Sequence, residues 1–202
     1  MSSGLETLID DARITSSDHV KAFLHGQLVG RWANFDRPVV VAVYRAEGDL
    51  DKIAEVDTLV EAQTLAEESR TGSRRSGCAL LGVHVKLGAA RALEYQGMVG
   101  RSMANGHNTV VQGLVWSETG ITESLAEVMS AHLFCTGLVS AALRLNTIGH
   151  LDAQHIISST YETIERILAA KPPGLESLFA FTPEQEIAVM RHESMPYRLF
   201  VN

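Results

Sequence analysis

The stretch from Thr122 to Leu145 constrains the fold of this chain more than any other. Apolar residues recur at helical spacing through its first half (Ile121, Leu125, Val128, Met129, Leu133), and nothing charged stands between Leu133 and Leu143. Thr122 supplies an N-cap, Glu123 a first-turn carboxylate, and Arg144 a last-turn cation that suits the helix dipole. A helix that begins amphipathic and becomes apolar all round is expected to end up enclosed. His132 and Arg144 leave only about eleven uncharged residues between them, against roughly twenty for a membrane crossing. The stretch is therefore read as the central helix of an all-α domain. Burying its large apolar side chains contributes on the order of 10 kcal/mol before chain entropy is subtracted.

The 202 residues, 46% hydrophobic and 20% charged, suffice for one sizeable core and predict a single-domain, multi-helix bundle over 1–202. A formal charge of −7 disfavours nucleic acid and anionic membrane as partners, since both would be repelled. Cys78 and Cys135 each sit in an apolar helical pattern without CxxC spacing and are read as small core residues. A reducing, cytoplasmic setting fits them. No basic segment followed by an apolar one opens the chain, so a secretory leader is not indicated.

Along the chain, Gly4 to Ala12 forms a short amphipathic helix, and Ser17 caps a second helix through Trp32. Asp36-Arg37-Pro38 restarts the chain with proline near a first helical position. Val39 to Val43 has strand-like composition, yet no second such run exists to pair with it, so helix is expected. Leu50 to Leu87 reads as two or more helices, or as one long helix running across the Arg-rich stretch Ser69 to Arg75. Ala89 to Met103 is helical, Asn105-Gly106 is a turn, and His107 to Glu118 leads to the central helix. Asp152 to Ala170 reads as one amphipathic helix, Pro172-Pro173-Gly174 breaks it, and a short helix follows Pro183.

The search for catalytic chemistry is mostly negative. There is no GxGxxG, no Walker-type Gly-Lys-Ser/Thr, no HExxH and no nucleophile elbow. Gly72 to Gly77 has glycine spacing without the lysine of a phosphate loop, and a basic helix face, solvated or turned to a partner, is the better reading. His150, Asp152 and His155 share a neighbourhood that could contribute to a metal site only with ligands from elsewhere. His132 is expected to be a satisfied core histidine, His107 opens a helix, and His192 has no ready acid–base partner beside it on its helix. The tail differs, because Tyr197, Leu199 and Phe200 interleave with Arg191 and Arg198 at a chain end. Tyrosine and arginine commonly anchor interfaces. Folding back on its own domain and docking to a partner are both open to it.

Several short motifs in succession resemble the urease accessory protein UreF family. They are Ser3-Gly4-Leu5-Glu6, then Gly106-His107 through Val111, Gly113 and Gly120, then Ala142-Leu143-Arg144-Leu145 with Gly149 and Gln154. The terminal Met190-Arg191-His192-Glu193 and Arg198-Leu199-Phe200 complete the series. The chain departs from the family in two ways. It starts almost at the Gly-Leu-Glu element, which suggests that a preceding segment is truncated or dispensable, and Thr147-Ile148-Gly149-His150 stands where Pro-Leu-Gly-Gln is common.

The resemblance implies a cytoplasmic α-helical homodimer without chemistry or cofactor of its own. It would bind the accessory protein UreD (also called UreH), recruit the GTPase UreG, and so take part in loading nickel into apo-urease as a chaperone. The family's C-terminal tail orders against UreD, which makes Arg191, His192, Glu193, Tyr197, Arg198, Leu199 and Phe200, with Glu6, the candidate partner-binding residues. From other classes, a small helical metal-binding protein using His150, Asp152 and His155, or a generic helical adaptor, are the alternatives.

Overall fold

The computed structural model describes residues 4–192 together with Leu199 and Phe200, and among these every regular element is helical. The expected all-α architecture is the one observed. Helix α1 (Leu5–Asp10) leads to α2 (Ser17–Gln27), which is capped by Ser16 rather than Ser17, the Ser16 hydroxyl accepting from the His19 N–H at 3.3 Å. The chain does not stop at Trp32. It widens into a π-helix, Leu28–Asp36, that runs directly into α3 (Arg37–Arg45).

Pro38 explains part of that change of pitch, because it has no N–H to offer the carbonyl of Asn34 four residues earlier. The Asn34 carbonyl accepts instead from the Phe179 N–H at 3.3 Å, and the Gly30 carbonyl from the Phe181 N–H at 2.8 Å. Val39, Val40 and Val43 are fully buried on α3, as expected of an apolar run that is helical.

The region from Leu50 to Leu87 is two helices, α4 (Leu50–Gln63) and α5 (Glu67–Lys86), and the Arg-rich stretch lies inside α5. Helix α6 (Ala90–Gly100) precedes α7 (Asn108–Glu118), which is held between α5 and α3 at very short range. A Cβ on Gly77 of α5 would stand 2.1 Å from the Gly106 carbonyl oxygen, and one on Gly113 of α7 would stand 2.8 Å from Val43 Cβ. Only glycine permits such contacts.

The N-terminal end of α7 rests on Asp57, a carboxylate with no exposure. Its oxygens accept from the N–H groups of Asn105 (2.7 Å), Gly106 (2.6 Å) and His107 (3.1 Å) and from the Tyr95 hydroxyl (2.7 Å). Burial, with the Asp57 charge, pushes the Tyr95 phenol well above its ordinary range.

The apolar interior forms two adjoining clusters. One gathers α1, α2, α9 (His150–Ser159) and α11 (Pro183–His192) around the C-terminal half of α8 (Glu123–Arg144), with Leu5, Leu24, Trp32, Cys135 and Leu138 among its members. The other gathers α3 to α7, with Val40, Ile53, Leu81, Tyr95 and Leu114. Arg37 joins them: its Nε lies 2.5 Å from Glu127 Oε2 on α8, and its terminal nitrogens donate to the carbonyls of Ile167 and Ala170, both at 2.8 Å. Those carbonyls sit at the end of α10 (Tyr161–Leu168), which is separate from α9 (His150–Ser159). The single helix expected over Asp152 to Ala170 is thus two, divided at Thr160.

The central helix is not enclosed. Ala126, Ala131, Cys135, Val139 and Ala142 are buried, while Leu125, Val128 and Leu133 are 48%, 44% and 47% exposed. His132 is exposed as well, and not a core histidine, because it stands on this outward side. Over its 22 residues α8 is long and apolar enough to cross a bilayer, so the short uncharged run does not by itself exclude a span. What places α8 here is the packing of its small-residue side. Cys135 is buried as expected, and burial pushes its thiol up to about 11, whereas Cys78 is exposed.

Replacing Glu127 by alanine leaves the Arg37 charge buried without its carboxylate and is expected to cost about 3–5 kcal/mol, read as a lower urea midpoint. His25 predicts a pH effect. Its ring nitrogens lie 3.2 Å from Ser159 Oγ and 3.3 Å from Thr163 Oγ1, and burial, then Lys21 and Arg166, lower its pKa below the ordinary 6.5. The unfolded chain then takes up the proton first as pH falls through 6.5, so acidification destabilises the fold. The His25→Asn variant should lose less of its urea midpoint between neutral and mildly acidic pH than the parent; an equal loss would remove His25 as a cause.

Candidate functional site

The candidate site lies where the two ends of the chain meet. Gly4, at φ +78°, caps α1 in the left-handed region, and a Cβ there would come within 3.0 Å of the Gln185 carbonyl oxygen and 3.1 Å of Ala188 Cβ. Helix α1 therefore lies directly on α11 (Pro183–His192), and the Thr7 hydroxyl donates to the Ala188 carbonyl at 2.9 Å. This approach carries Glu6 into the interior, where it is 7% exposed.

His192, 1% exposed, stands between two carboxylates from distant helices. Its Nε2 is 2.9 Å from Glu6 Oε2, and its Nδ1 is 2.9 Å from Glu68 Oε2 on α5. A carboxylate accepts only, so the ring serves both neighbours when each nitrogen carries a proton. Glu6 also accepts from the backbone N–H groups of Leu199 (2.5 Å) and Phe200 (3.2 Å). One buried carboxylate thus holds a helix end and the returning tail together through charge-assisted hydrogen bonds.

Phe200 is 7% exposed and its ring lies 4.6 Å from the Arg144 guanidinium carbon, at the end of the central helix. Leu199, by contrast, is 62% exposed. Arg191 points outward and pairs with Asp11 at 2.5 and 3.1 Å. Of the residues predicted from sequence, Glu6, His192, Leu199 and Phe200 are brought together, while Arg191 is turned away to Asp11; Glu193, Tyr197 and Arg198 lie outside the described residues. The tail therefore does fold back on its own chain at Leu199 and Phe200.

The other histidine-bearing motifs have structural employment. Asp152 Oδ2 accepts from the Gly149 N–H at 3.0 Å and so caps α9. Among the described residues no group of three or more His, Cys, Asp or Glu side chains is placed to hold a metal ion. His107 is fully buried, with Nε2 2.7 Å from Glu61 Oε2. The basic face of α5 is largely paired, Arg70 with Glu67 and Arg74 with Glu61 at 3.3 Å and Glu67 at 3.1 Å.

Comparison with known proteins bears on this geometry. The family model for UreF matches residues 14–161. The chain belongs to the UreF family. It is 31% identical over 206 residues to the urease accessory protein UreF of Trichodesmium erythraeum, covering 100% of this chain and 88% of that protein. Against the protein of the same name from Bacillus sp. (strain TB-90) the identity is 29%, with 100% and 90% covered. For Haemophilus influenzae (strain PittGG) the identity is 25%, with 100% and 87% covered.

The stretch matched by the UreF family model begins after Glu6 and ends before His192, so of the clamp it includes only Glu68, although the alignments to the relatives run through both ends. Glu68, the second carboxylate on His192, carries no sequence signal beyond a first-turn acidic position, and sequence reasoning missed it.

Glu6→Ala is expected to free the tail from α11. Trypsin should then cleave at Arg191 several-fold faster than in the parent, with a loss of about 1–3 kcal/mol in stability from the stranded donors. Unchanged cleavage would show that Glu6 does not hold the tail.

Proposed function

We propose that this chain acts as a non-catalytic urease accessory scaffold in the cytoplasm. It binds UreD (UreH) through the clamped tail, recruits and regulates the GTPase UreG, and the complex delivers nickel, as cargo, to apo-urease. Membership of the UreF family supports this reading, and relatives that align with the whole chain bear the name urease accessory protein.

The observation that carries it is the clamp itself. Glu6 grips the backbone of Leu199 and Phe200 and leaves the Leu199 side chain in solvent. On α11 and the segment leading into it, Phe181, Ile187 and Met190 are also exposed, at 72%, 58% and 49%. Large apolar groups held outward on a fixed element suit a partner surface. The outward Leu125, Val128 and Leu133 of α8 support the homodimer in the same way.

The test is size-exclusion chromatography with light scattering on the chain co-expressed with a UreD-type partner, comparing the full chain with a version ending at Ala188. Co-elution of the full chain and its loss on truncation are expected. A full chain that is folded by circular dichroism yet elutes alone would overturn the proposal.

A further inference from the structure

A cavity of about 280 Å³ opens between the π-helix and the C-terminal half of α8, beside α5 and α11. Gln27 reaches it from the end of α2, Arg31 and Asp36 from the π-helix, and Arg144 from the end of α8. Gln27 is 5% exposed, and its Oε1 is buried with no hydrogen-bond partner among the described residues. A buried acceptor left without a donor is costly and uncommon.

The carboxylates on the wall are already engaged. Asp36 accepts from Arg31 Nε and from the Thr109 hydroxyl, each at 3.2 Å, and Glu68 is turned to His192. The cations are not used up in the same way. Arg31 gives Asp36 only its Nε, and Arg144 gives its Nε to the Ser140 carbonyl at 3.3 Å, with no carboxylate paired to it among the described residues. Phe200 covers one face of the Arg144 guanidinium and holds it at the cavity. The remaining wall is apolar, with Phe134, Leu138 and Val189.

We propose that this cavity binds a phosphate group, free or as the head of a small monoester. Two guanidinium groups whose terminal N–H donors have no partner among the described residues suit an oxyanion. The Gln27 oxygen offers, in addition, an acceptor for a ligand hydroxyl, which a protonated phosphate supplies and sulfate does not. The volume exceeds that of the ion alone and approaches the lower end of small-ligand pockets, at about 300 Å³, so the apolar wall can receive an organic remainder.

The experiment is isothermal titration of the full chain near pH 6, where inorganic phosphate carries one or two protons and about half of a monoester phosphate carries one, with inorganic phosphate, ribose 5-phosphate and sulfate as probes. Saturable binding of at least one phosphate is expected, with sulfate several-fold weaker. Tighter binding of ribose 5-phosphate identifies a monoester as the natural class, and tighter binding of inorganic phosphate identifies the free ion. Arg144→Gln, at an exposed position that leaves the fold intact by circular dichroism, should weaken binding about tenfold. Gln27→Met should bring phosphate down to the level of sulfate. Absence of saturable binding at millimolar concentration, equal binding of sulfate and phosphate, or binding indifferent to Arg144→Gln would each overturn the proposal.

Discussion

The Arg37 guanidinium carries the junction on which the rest of the molecule depends. It is 3% exposed, and each of its three nitrogens has a partner: Glu127 on α8 and two carbonyls at the end of α10. A buried cation tolerates such a position only with a carboxylate and full hydrogen bonding, and the negative end of the α10 dipole adds to both. Its neighbours act at the same join. Asp36 binds Arg31 and Thr109 at the start of α7, and Pro38 withholds an N–H, so that the Asn34 carbonyl is met by Phe179 from the C-terminal region. Three consecutive residues thereby tie the π-helix, α7, α8, α10 and the segment before α11 to one point.

That anchorage decides how α8 sits. The side facing Arg37 and both clusters is built from small residues, Ala126, Ala131, Cys135 and Ala142, which let neighbouring helices approach closely. With its axis fixed by this side, the larger Leu125, Val128 and Leu133 face outward. The helix owes its length and apolar character to two different surfaces, one inside the protomer and one on its exterior. A pattern that is apolar all round marks the need for burial without saying by what.

Much of the fold was legible because helix starts and apolar periodicity are local. The valine run at Val39 was correctly read as helix on the argument that no second strand could pair with it. The breaks at Thr64 and Thr160 were not legible. Each threonine turns its hydroxyl back to a carbonyl, Val60 at 2.8 Å and Ile157 at 2.7 Å, and the hydrophobic period continues across the break. The exposure of Cys78 and His132 was misread for a related reason, since periodicity assigns residues to a face but does not tell which face is covered. In the clamp, Glu6 was reached only through the family resemblance, whereas the tail residues also stood out by their own interleaving of apolar and guanidinium groups at a chain end. Glu68 could not be, because it meets His192 across 124 positions of sequence.

The chemistry of the clamp bears on what the tail can present. An apolar tail docked in an apolar groove would bury its side chains and leave little for a partner to meet. Here the grip is on the backbone: Glu6 accepts from two successive N–H groups and His192 braces Glu6 against Glu68. Phe200 goes inward onto Arg144 and Leu199 outward into solvent. Because the restraint is placed on the main chain, the outward side chain is held in position without being consumed by the fold, which is the condition a preorganised contact requires.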